Sequence, residues 1–177
     1  MSHEGASAEP RATRPLLRDY GVPDGLDGLL PWSWVRERLG EATVYWVSTT
    51  RPGGAPHAAP IWGVWLEERL WFEGGRGTRR ARNLAADPRA VAAVHVSDDA
   101  AIIVEGEVED RTDPDPALAA RLVDGFAKYR ATRWAYEADP ANWRSERGGG
   151  LWCLRPAVVL AWSRFPDDAT RFLFERA

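Results

Sequence analysis

A run of arginines at the start of a predicted helix is the feature of this sequence that points most clearly to chemistry. Residues 74–89 read GGRGTRRARNLAADPR, in which Thr78 is a good helix N-cap and Arg79, Arg80 and Arg82 follow it directly. The helix dipole makes this end positive, so each cation there costs ~0.3–1 kcal/mol. A bound phosphate reverses the sign, because it accepts hydrogen bonds from free amides, the threonine hydroxyl and the guanidinium groups.

The same arginines have a second interpretation, in which they lie in solvent and their charge is screened. Lys128 is the only lysine among 23 basic residues, and such an arginine excess also arises from GC-rich codons. The glycine-rich stretch before Thr78 lacks the Lys-Ser/Thr ending of a nucleotide-binding loop and the spacing of a dinucleotide fingerprint. Composition alone therefore leaves the anion site open.

Other candidate chemistry is sparse. His57 follows a turn and could face the mouth of a barrel, which makes it a candidate substrate-pocket residue. His3 and His95 are too scattered to suggest a metal site, and Cys153, the only cysteine, is expected to pack as a small hydrophobe. No serine occurs in a nucleophile elbow, and no catalytic residue can be named. An organic cofactor is then the natural carrier of any redox chemistry.

The elements that must position these residues are mostly short strands joined by tight turns, which favours a β-barrel of six to eight strands. Apolar spacing at three and four residues predicts helices over residues 30–39 and 78–86, and a long helix from residue 114. Alternating and β-branched runs predict strands over residues 43–50, 55–66, 69–73, 90–96, 101–108, 151–154 with 157–162, and 170–175.

Length and composition indicate one domain. We expect a disordered tail over residues 1–18 and a single cofactor-binding domain over residues 19–177. No run of about 18 apolar residues predicts a membrane helix, and the N-terminus has no signal-peptide core, so we expect a cytoplasmic protein. The net charge of −3 argues against a nucleic-acid partner.

The order of the motifs resembles the pyridoxamine 5′-phosphate oxidase-like superfamily, and within it the flavin/deazaflavin oxidoreductase branch. The resemblance lies in the runs YWVSTTRPGGAPHAAPIWGVW, LWFEGGRGTRRARNLAADPR and AIIVEGEVE, and covers residues 30–177. It implies a split β-barrel of the FMN-binding type, mainly β with peripheral helices. It also implies a homodimer with two sites at its interface, acting on a small molecule.

The resemblance also assigns residues to the cofactor. A Ser-Arg-Lys-like motif grips the cofactor phosphate in this superfamily, and Thr78, Arg79 and Arg80 match it. The C-terminal run LRPAVVLAWSRFPDDATRF resembles the family's final strand pair. Trp162 and Arg171 are therefore expected to contact a cofactor bound mainly to the other subunit.

The family's second strand lies along the flavin or deazaflavin ring. That role passes to Ala59, Pro60, Ile61 and Trp62. Pyridoxamine phosphate oxidases themselves have a basic motif in this strand and an Arg-Leu-His-Asp-Arg-like C-terminal sequence. This chain has AAPIW and ATRFL there, which argues against vitamin B6 oxidation.

The choice of cofactor is between coenzyme F420, which we expect, and FMN as the alternative. Both carry a phosphate near a tricyclic ring, but F420 continues into an acidic tail, and Arg76 and Arg82 flank the phosphate motif where such a tail would leave. The expected reaction is hydride transfer to or from a small organic substrate. A noncatalytic flavin- or haem-binding protein remains the alternative from another functional class.

Overall fold

The computed structural model describes residues 9–145 and 149–175, which form one curved sheet with helices around it. The strands are β1 (Arg11–Thr13), β2 (Tyr45–Thr50), β3 (Pro56–Ile61), β4 (Gly63–Leu66), β5 (Arg69–Gly74), β6 (Arg89–Ser97), β7 (Ala100–Asp110), β8 (Gly150–Trp162) and β9 (Thr170–Leu173). The helices are α1 (Trp32–Glu41), α2 (Arg79–Ala86), α3 (Pro116–Phe126) and α4 (Pro140–Arg144), with a 3₁₀ turn at Ala127–Tyr129.

All strand pairs are antiparallel, and their order leaves the sheet open. The path runs β1-β9-β8-β7-β6-β2-β3, and β5 pairs with both β4 and β8. The sheet therefore curls around a core without closing, and β3 is a free edge. The expected mainly β split barrel with peripheral helices is confirmed.

The two faces of the sheet differ as a strand period of two requires. In β2, Tyr45, Val47 and Thr49 are buried, whereas Trp46 between them is 51% exposed. A register shift next to Gly106 marks the bend of β7, and a Cβ there would lie 1.9 Å from the carbonyl oxygen of Arg155. Only glycine lets β7 and β8 approach so closely at this point.

A second, smaller core lies between α3, the 3₁₀ turn, α4 and the sheet. Asp115 caps α3, because its carboxylate accepts hydrogen bonds from the amides of Ala117 and Leu118. The helix then buries an apolar stripe that continues into the 3₁₀ turn. This core contains Val64, Trp71, Leu118, Ala119, Leu122, Phe126, Tyr129, Trp143, Leu151 and Cys153.

Three expectations about the elements need correction. Residues 11–13, placed in the tail that was expected to be disordered, form β1 because they pair with β9; residues 1–8 of that tail lie outside the described residues. The strand expected over residues 55–66 is two strands, β3 and β4, and the pieces expected over 151–154 and 157–162 are one strand, β8. The described part of the chain therefore has nine strands, not six to eight. None of its helices is both long and apolar enough to cross a membrane.

Candidate functional site

The N-terminus of α2 is built as the sequence predicts. Thr78 is the N-cap, and its hydroxyl accepts a hydrogen bond from the amide of Ala81 at 3.2 Å. The first backbone hydrogen bond of the helix runs from the amide of Arg82 to the carbonyl of Thr78, at 3.2 Å. The amides of Arg79 and Arg80 precede that bond and have no acceptor within the helix. They are available to an anion.

The three arginines that follow Thr78 differ in environment. Arg79 and Arg82 are exposed, whereas Arg80 is only 9% exposed. The Arg80 guanidinium donates to the carbonyl oxygen of Glu73 at 3.2 Å and lies over the ring of Phe72, 5.2 Å from its centroid. Burial lowers the pKa of Arg80.

None of these three arginines has a carboxylate within 4.0 Å among the residues that the structure describes. Burying a cation without a counter-charge is unfavourable in free energy, and a bound anion would supply that counter-charge. Residues Thr78, Arg79, Arg80 and Arg82 thus lie together, and their chemistry fits a phosphate.

Gly74, where β5 ends and the glycine-rich loop begins, leaves room for the side chain of Arg80. A Cβ on Gly74 would lie 2.2 Å from Nη2 of Arg80, so glycine provides the space that the guanidinium occupies. Arg76 is engaged elsewhere: its guanidinium lies 2.5 Å from the Asp110 carboxylate and 2.6 Å from the Thr112 hydroxyl. Burial acts to raise the pKa of Asp110, but the hydrogen bonds from Arg76 and Thr112 hold it below its ordinary value. Arg76 is therefore not a free contact for an acidic tail.

The residues expected along the cofactor ring lie on and just after the edge strand β3. Ala59 pairs with Val47, Pro60 with Trp46, and Ile61 with Tyr45. Because no strand within residues 9–145 and 149–175 pairs with the other edge of β3, its main-chain groups there are available to a ligand. Ile61 itself is buried in the core, so it can offer a ligand only its backbone.

Trp62 belongs to an aromatic cluster formed with Phe126, Tyr129 and Tyr136. The rings of Trp62 and Tyr129 are stacked at 4.9 Å with an interplanar angle of 11°, and Tyr136 meets Trp62 edge-on at 5.5 Å. The Tyr129 hydroxyl accepts a hydrogen bond from the amide of Gly63 at 2.9 Å. Burial raises the pKa of Tyr129 to about 12. The cluster fixes Trp62 directly after the ring-contact strand.

Sequence reasoning missed Glu73, the residue that joins these two regions. Its carboxylate accepts hydrogen bonds from the Tyr136 hydroxyl and from the indole N–H of Trp143. Burial is the largest influence on its pKa and raises it, although both hydrogen bonds act in the opposite direction. The only sequence signals were an acidic residue beside the glycine-rich loop and three unexplained aromatics between residues 130 and 147.

His57 lies beside a buried polar pair that also went unrecognised. It is opposite Thr49 in the β2–β3 register, and the Thr49 hydroxyl lies 2.9 Å from the side-chain amide of Asn83 on α2. Among the described residues, neither Nδ1 of His57 nor Oδ1 of Asn83 has a hydrogen-bond partner. His57 is therefore next to the inner side of the arginine helix, and its role in a substrate pocket stays a prediction.

Trp162 and Arg171 lie on another part of the molecule, the outer face of the sheet. Leu160 pairs with Arg171, which places Trp162 and Arg171 on the same face of neighbouring strands. Trp162 packs edge-on against Phe165 at 5.4 Å, and the Arg171 guanidinium donates to the Thr13 hydroxyl at 3.2 Å. Both side chains therefore contact β1 or the segment between β8 and β9.

One groove on the outside of the sheet is not formed by the expected site residues. It has a volume of about 520 Å³ and lies across the outer ends of β2, β6, β7 and β8. Its polar lining includes Thr50, Asp87, Arg89, Glu105 and Glu107. Asp87 and Arg89 form a salt bridge with each other at 2.6 Å, and the hydrogen bonds from Arg89 lower the pKa of Asp87 to about 2. The groove is therefore too acidic to favour a phosphate.

A comparison with protein families assigns the chain to a known family. The model of the family described as pyridoxamine 5′-phosphate oxidase matches residues 34–163, well over half of the chain. The chain belongs to this family. The match includes the α2 arginines, β3 and the aromatic cluster, and it confirms the resemblance drawn from the motifs. No curated protein sequence matches the chain.

Solved structures extend the comparison at low identity. An F420 reductase is 24% identical, with a TM-score of 0.52 over 70% of this chain and 94% of the other. An FMN-binding, pyridoxamine 5′-phosphate oxidase-related protein from Nostoc punctiforme is 18% identical, with a TM-score of 0.55 over 86% and 94%. A heme binding protein from Mycobacterium smegmatis is 20% identical, with a TM-score of 0.58 over 80% and 58%. These likenesses show the family fold, which is found in proteins with different ligands.

Proposed function

We propose that this chain is an oxidoreductase that holds a flavin-type cofactor, coenzyme F420 in preference to FMN, for hydride transfer to or from a small organic substrate. The observation that carries the proposal is the buried guanidinium of Arg80 at the start of α2, without a carboxylate partner in the described part of the chain. A phosphate would neutralise it and accept hydrogen bonds from the free amides nearby. When bound, either cofactor supplies the ring atom that gives or takes the hydride.

The chain's own residues bind and orient the cofactor in this proposal. Arg79 and Arg80, with the Thr78 cap, hold the phosphate. The free edge of β3 offers main-chain groups to the ring from Ala59 to Ile61, and the half-buried indole of Trp62 adds an apolar wall at its end. Apolar walls with a few fixed polar groups are typical of cofactor sites.

The preference for F420 rests on Arg82. It is exposed and has no carboxylate within 4.0 Å among the described residues, so it can meet the acidic tail that F420 carries beyond its phosphate. FMN ends at its phosphate and gains nothing from this contact. Since Arg76 is paired with Asp110, the tail contact falls to Arg82.

The test is a binding titration of the apo-protein with F420 and FMN side by side at low and high salt. We expect tighter binding of F420, with a preference that shrinks as salt screens the exposed tail contact. Arg82→Ala should weaken F420 binding and leave FMN binding unchanged, whereas Arg18→Ala, which removes an exposed arginine from the loop before α1, should change neither. Protein that is purified with FMN, or that binds FMN more tightly at low salt, would show that FMN is the cofactor.

Turnover separates the enzyme from a carrier. An oxidoreductase oxidises its reduced cofactor in a substrate-dependent reaction. A protein that binds F420 or FMN but does not turn over with any electron acceptor tried is a carrier of flavin. Binding of haem in place of both would point to the heme-binding alternative.

We further propose that the protein acts as a homodimer through the outer face of the sheet. No described helix covers this face, where Trp46 is 51% exposed and Ile103 and Leu160 are half-buried. Trp162 and Arg171 lie on the same face, as they must if they reach a cofactor held mainly by the partner. An uncovered apolar face of this extent is typical of a subunit interface.

Sedimentation at micromolar concentration tests the assembly. We expect a dimer with an interface of about 1,600 Å² or more in total. Ile103→Asp should give a folded monomer with weakened cofactor binding, because a charge at the centre of the interface cannot be paired. Leu26→Asp, at an exposed apolar residue in the loop before α1, should stay dimeric. A monomeric unsubstituted protein would contradict the roles of Trp162 and Arg171.

A further inference from the structure

Glu73 is placed between the two ends of the candidate cofactor site. It lies near the end of β5, just before the glycine-rich loop that leads to α2. Its side chain and its main chain have different partners. The carboxylate accepts hydrogen bonds from Tyr136 and Trp143, which we call the aromatic side, and the main-chain carbonyl accepts one from Arg80, the arginine side.

On the arginine side, the last residues of β5 contact the guanidinium of Arg80. The carbonyl oxygen of Glu73 accepts the hydrogen bond from Nη2 of Arg80 at 3.2 Å, and the ring of Phe72 lies under the guanidinium. Gly74 leaves the space that the guanidinium fills. The position of Arg80 is therefore set by the backbone of β5.

On the aromatic side, the carboxylate of Glu73 fastens the connection that follows α3. Tyr136 and Trp143 both donate to it, and they lie 63 and 70 residues further along the chain. Tyr136 then contacts Trp62 edge-on at 5.5 Å and Phe126 at 6.1 Å. Through Tyr136, the carboxylate restrains the edge of Trp62 that its stacking partner Tyr129 does not hold.

We propose that Glu73 is a positioning residue that sets Trp62, through Tyr136, relative to the phosphate contact of Arg80. The inference rests on the proposed function, since it needs a ligand with a ring at one end and a phosphate at the other. A carboxylate suits this role because it accepts two hydrogen bonds from different donors at once. Glutamine could keep both partners by accepting from Trp143 and donating to the Tyr136 oxygen, whereas methionine has a similar length and accepts from neither.

The test compares Glu73→Met and Tyr136→Phe with Tyr45→Phe as the matched control. Tyr45→Phe also removes a buried tyrosine hydroxyl, which donates to the carbonyl of Leu39, but that hydroxyl touches neither Glu73 nor Trp62. The probes are FMN with riboflavin, and F420 with its phosphate-free deazaflavin ring system. Each pair differs at the phosphate end and shares the ring. Thermal unfolding of each apo-variant is measured alongside.

We expect both test variants to weaken binding of the phosphate-free ring system about tenfold, equivalent to ~1.4 kcal/mol, and to shift the visible absorption band of the bound ring. The affinity ratio between the phosphate-bearing and phosphate-free probes should not change, because the main-chain carbonyl that holds Arg80 is still present. The double variant should bind no more weakly than the Glu73 variant alone, since both changes reach Trp62 through the hydrogen bond between Tyr136 and Glu73. The control should lower the unfolding temperature and leave binding and spectrum unchanged.

The outcomes separate the two proposals. If the test variants lower the unfolding temperature but leave ring affinity and spectrum unchanged, Glu73 is a structural residue and the inference is wrong while the cofactor assignment stands. If the unsubstituted protein binds none of the four probes, the proposed function is wrong and this inference is overturned with it. A changed affinity ratio with an unchanged absorption band would also overturn it, because the effect would then lie at the phosphate.

Discussion

Replacing Arg80 with methionine separates the stability of the fold from the binding of an anion. In the apo-protein the guanidinium is 9% exposed and faces no carboxylate among the described residues. Its burial carries an effective penalty of several kcal/mol, even after relaxation of the surroundings. Against this stand the hydrogen bond to the carbonyl of Glu73, worth ~1.5–3 kcal/mol, and the contact with Phe72, worth ~0.5–2 kcal/mol.

Methionine retains much of the side-chain length and its packing on Phe72, and it removes the charge. We therefore expect the Arg80→Met apo-protein to be as stable as the unsubstituted one, or more stable by up to ~2 kcal/mol. Loss of the guanidinium should weaken binding of a phosphate-bearing cofactor by about 10–100-fold, which corresponds to ~1.4–2.8 kcal/mol. A phosphate-free ring system should bind equally well to both proteins.

Urea unfolding of the apo-protein and a titration with both ligands measure the two effects. Arg18→Met is the control, because it removes an exposed arginine from the loop before α1 and should change neither quantity. Loss of more than ~1 kcal/mol of unfolding free energy with unchanged cofactor affinity would refute the reasoning, since Arg80 would then be a structural residue.

Three further changes test other parts of the molecule. Arg79→Ala should leave the unfolding free energy within ~0.5 kcal/mol and weaken phosphate binding, because this side chain is exposed; unfolding with unaltered affinity per folded molecule would contradict it. Leu122→Ala, at a fully buried residue of the α3 core, should lower the free energy of unfolding measured in urea by ~2–5 kcal/mol. It should not change the cofactor affinity per folded molecule. Burial lowers the pKa of Lys128 from 10.5 to about 8, so the folded protein binds fewer protons than the unfolded chain between these values, and stability should rise with pH across that window. Since Lys128 is the only lysine, ¹³C-methylation should give one side-chain NMR signal that titrates near 8; titration near 10.5 would contradict the prediction.

The sequence predicts α2 well because the signals for it are local. A threonine cap, an apolar stripe through Ala81 and Leu84, and a proline two residues after the helix act within about ten residues of chain. The alternation within β7 is equally local, and it correctly places Ile102, Val104 and Val108 on the buried face and Glu105 and Glu107 on the exposed one. The phosphate motif could therefore be placed on its element before any tertiary contact was known.

The different environments of Arg79 and Arg80 could not be predicted in the same way. The two residues are adjacent and of one type, and only the position of β5 against α2 decides which of them is buried. β1 has the same character: three residues reading RAT carry no strand signal, and they are extended because β9 offers them an edge. The contacts of Glu73 join residues 63 and 70 positions apart, which no local pattern reports.

The division between buried and exposed arginines also explains why the phosphate motif alone does not identify the cofactor. In the proposed function, Arg80 meets only the phosphate that FMN and F420 have in common, and its guanidinium is held by the backbone of β5. Selectivity must then come from Arg82, which is exposed and extends beyond the phosphate, and from the ring wall at Trp62. Salt has little effect on contacts between buried charges. It weakens the attraction between exposed charges, because the Debye length is only about 8–10 Å at moderate salt. Affinity for the phosphate and choice between cofactors therefore depend on different side chains of the same helix, so one can change without the other.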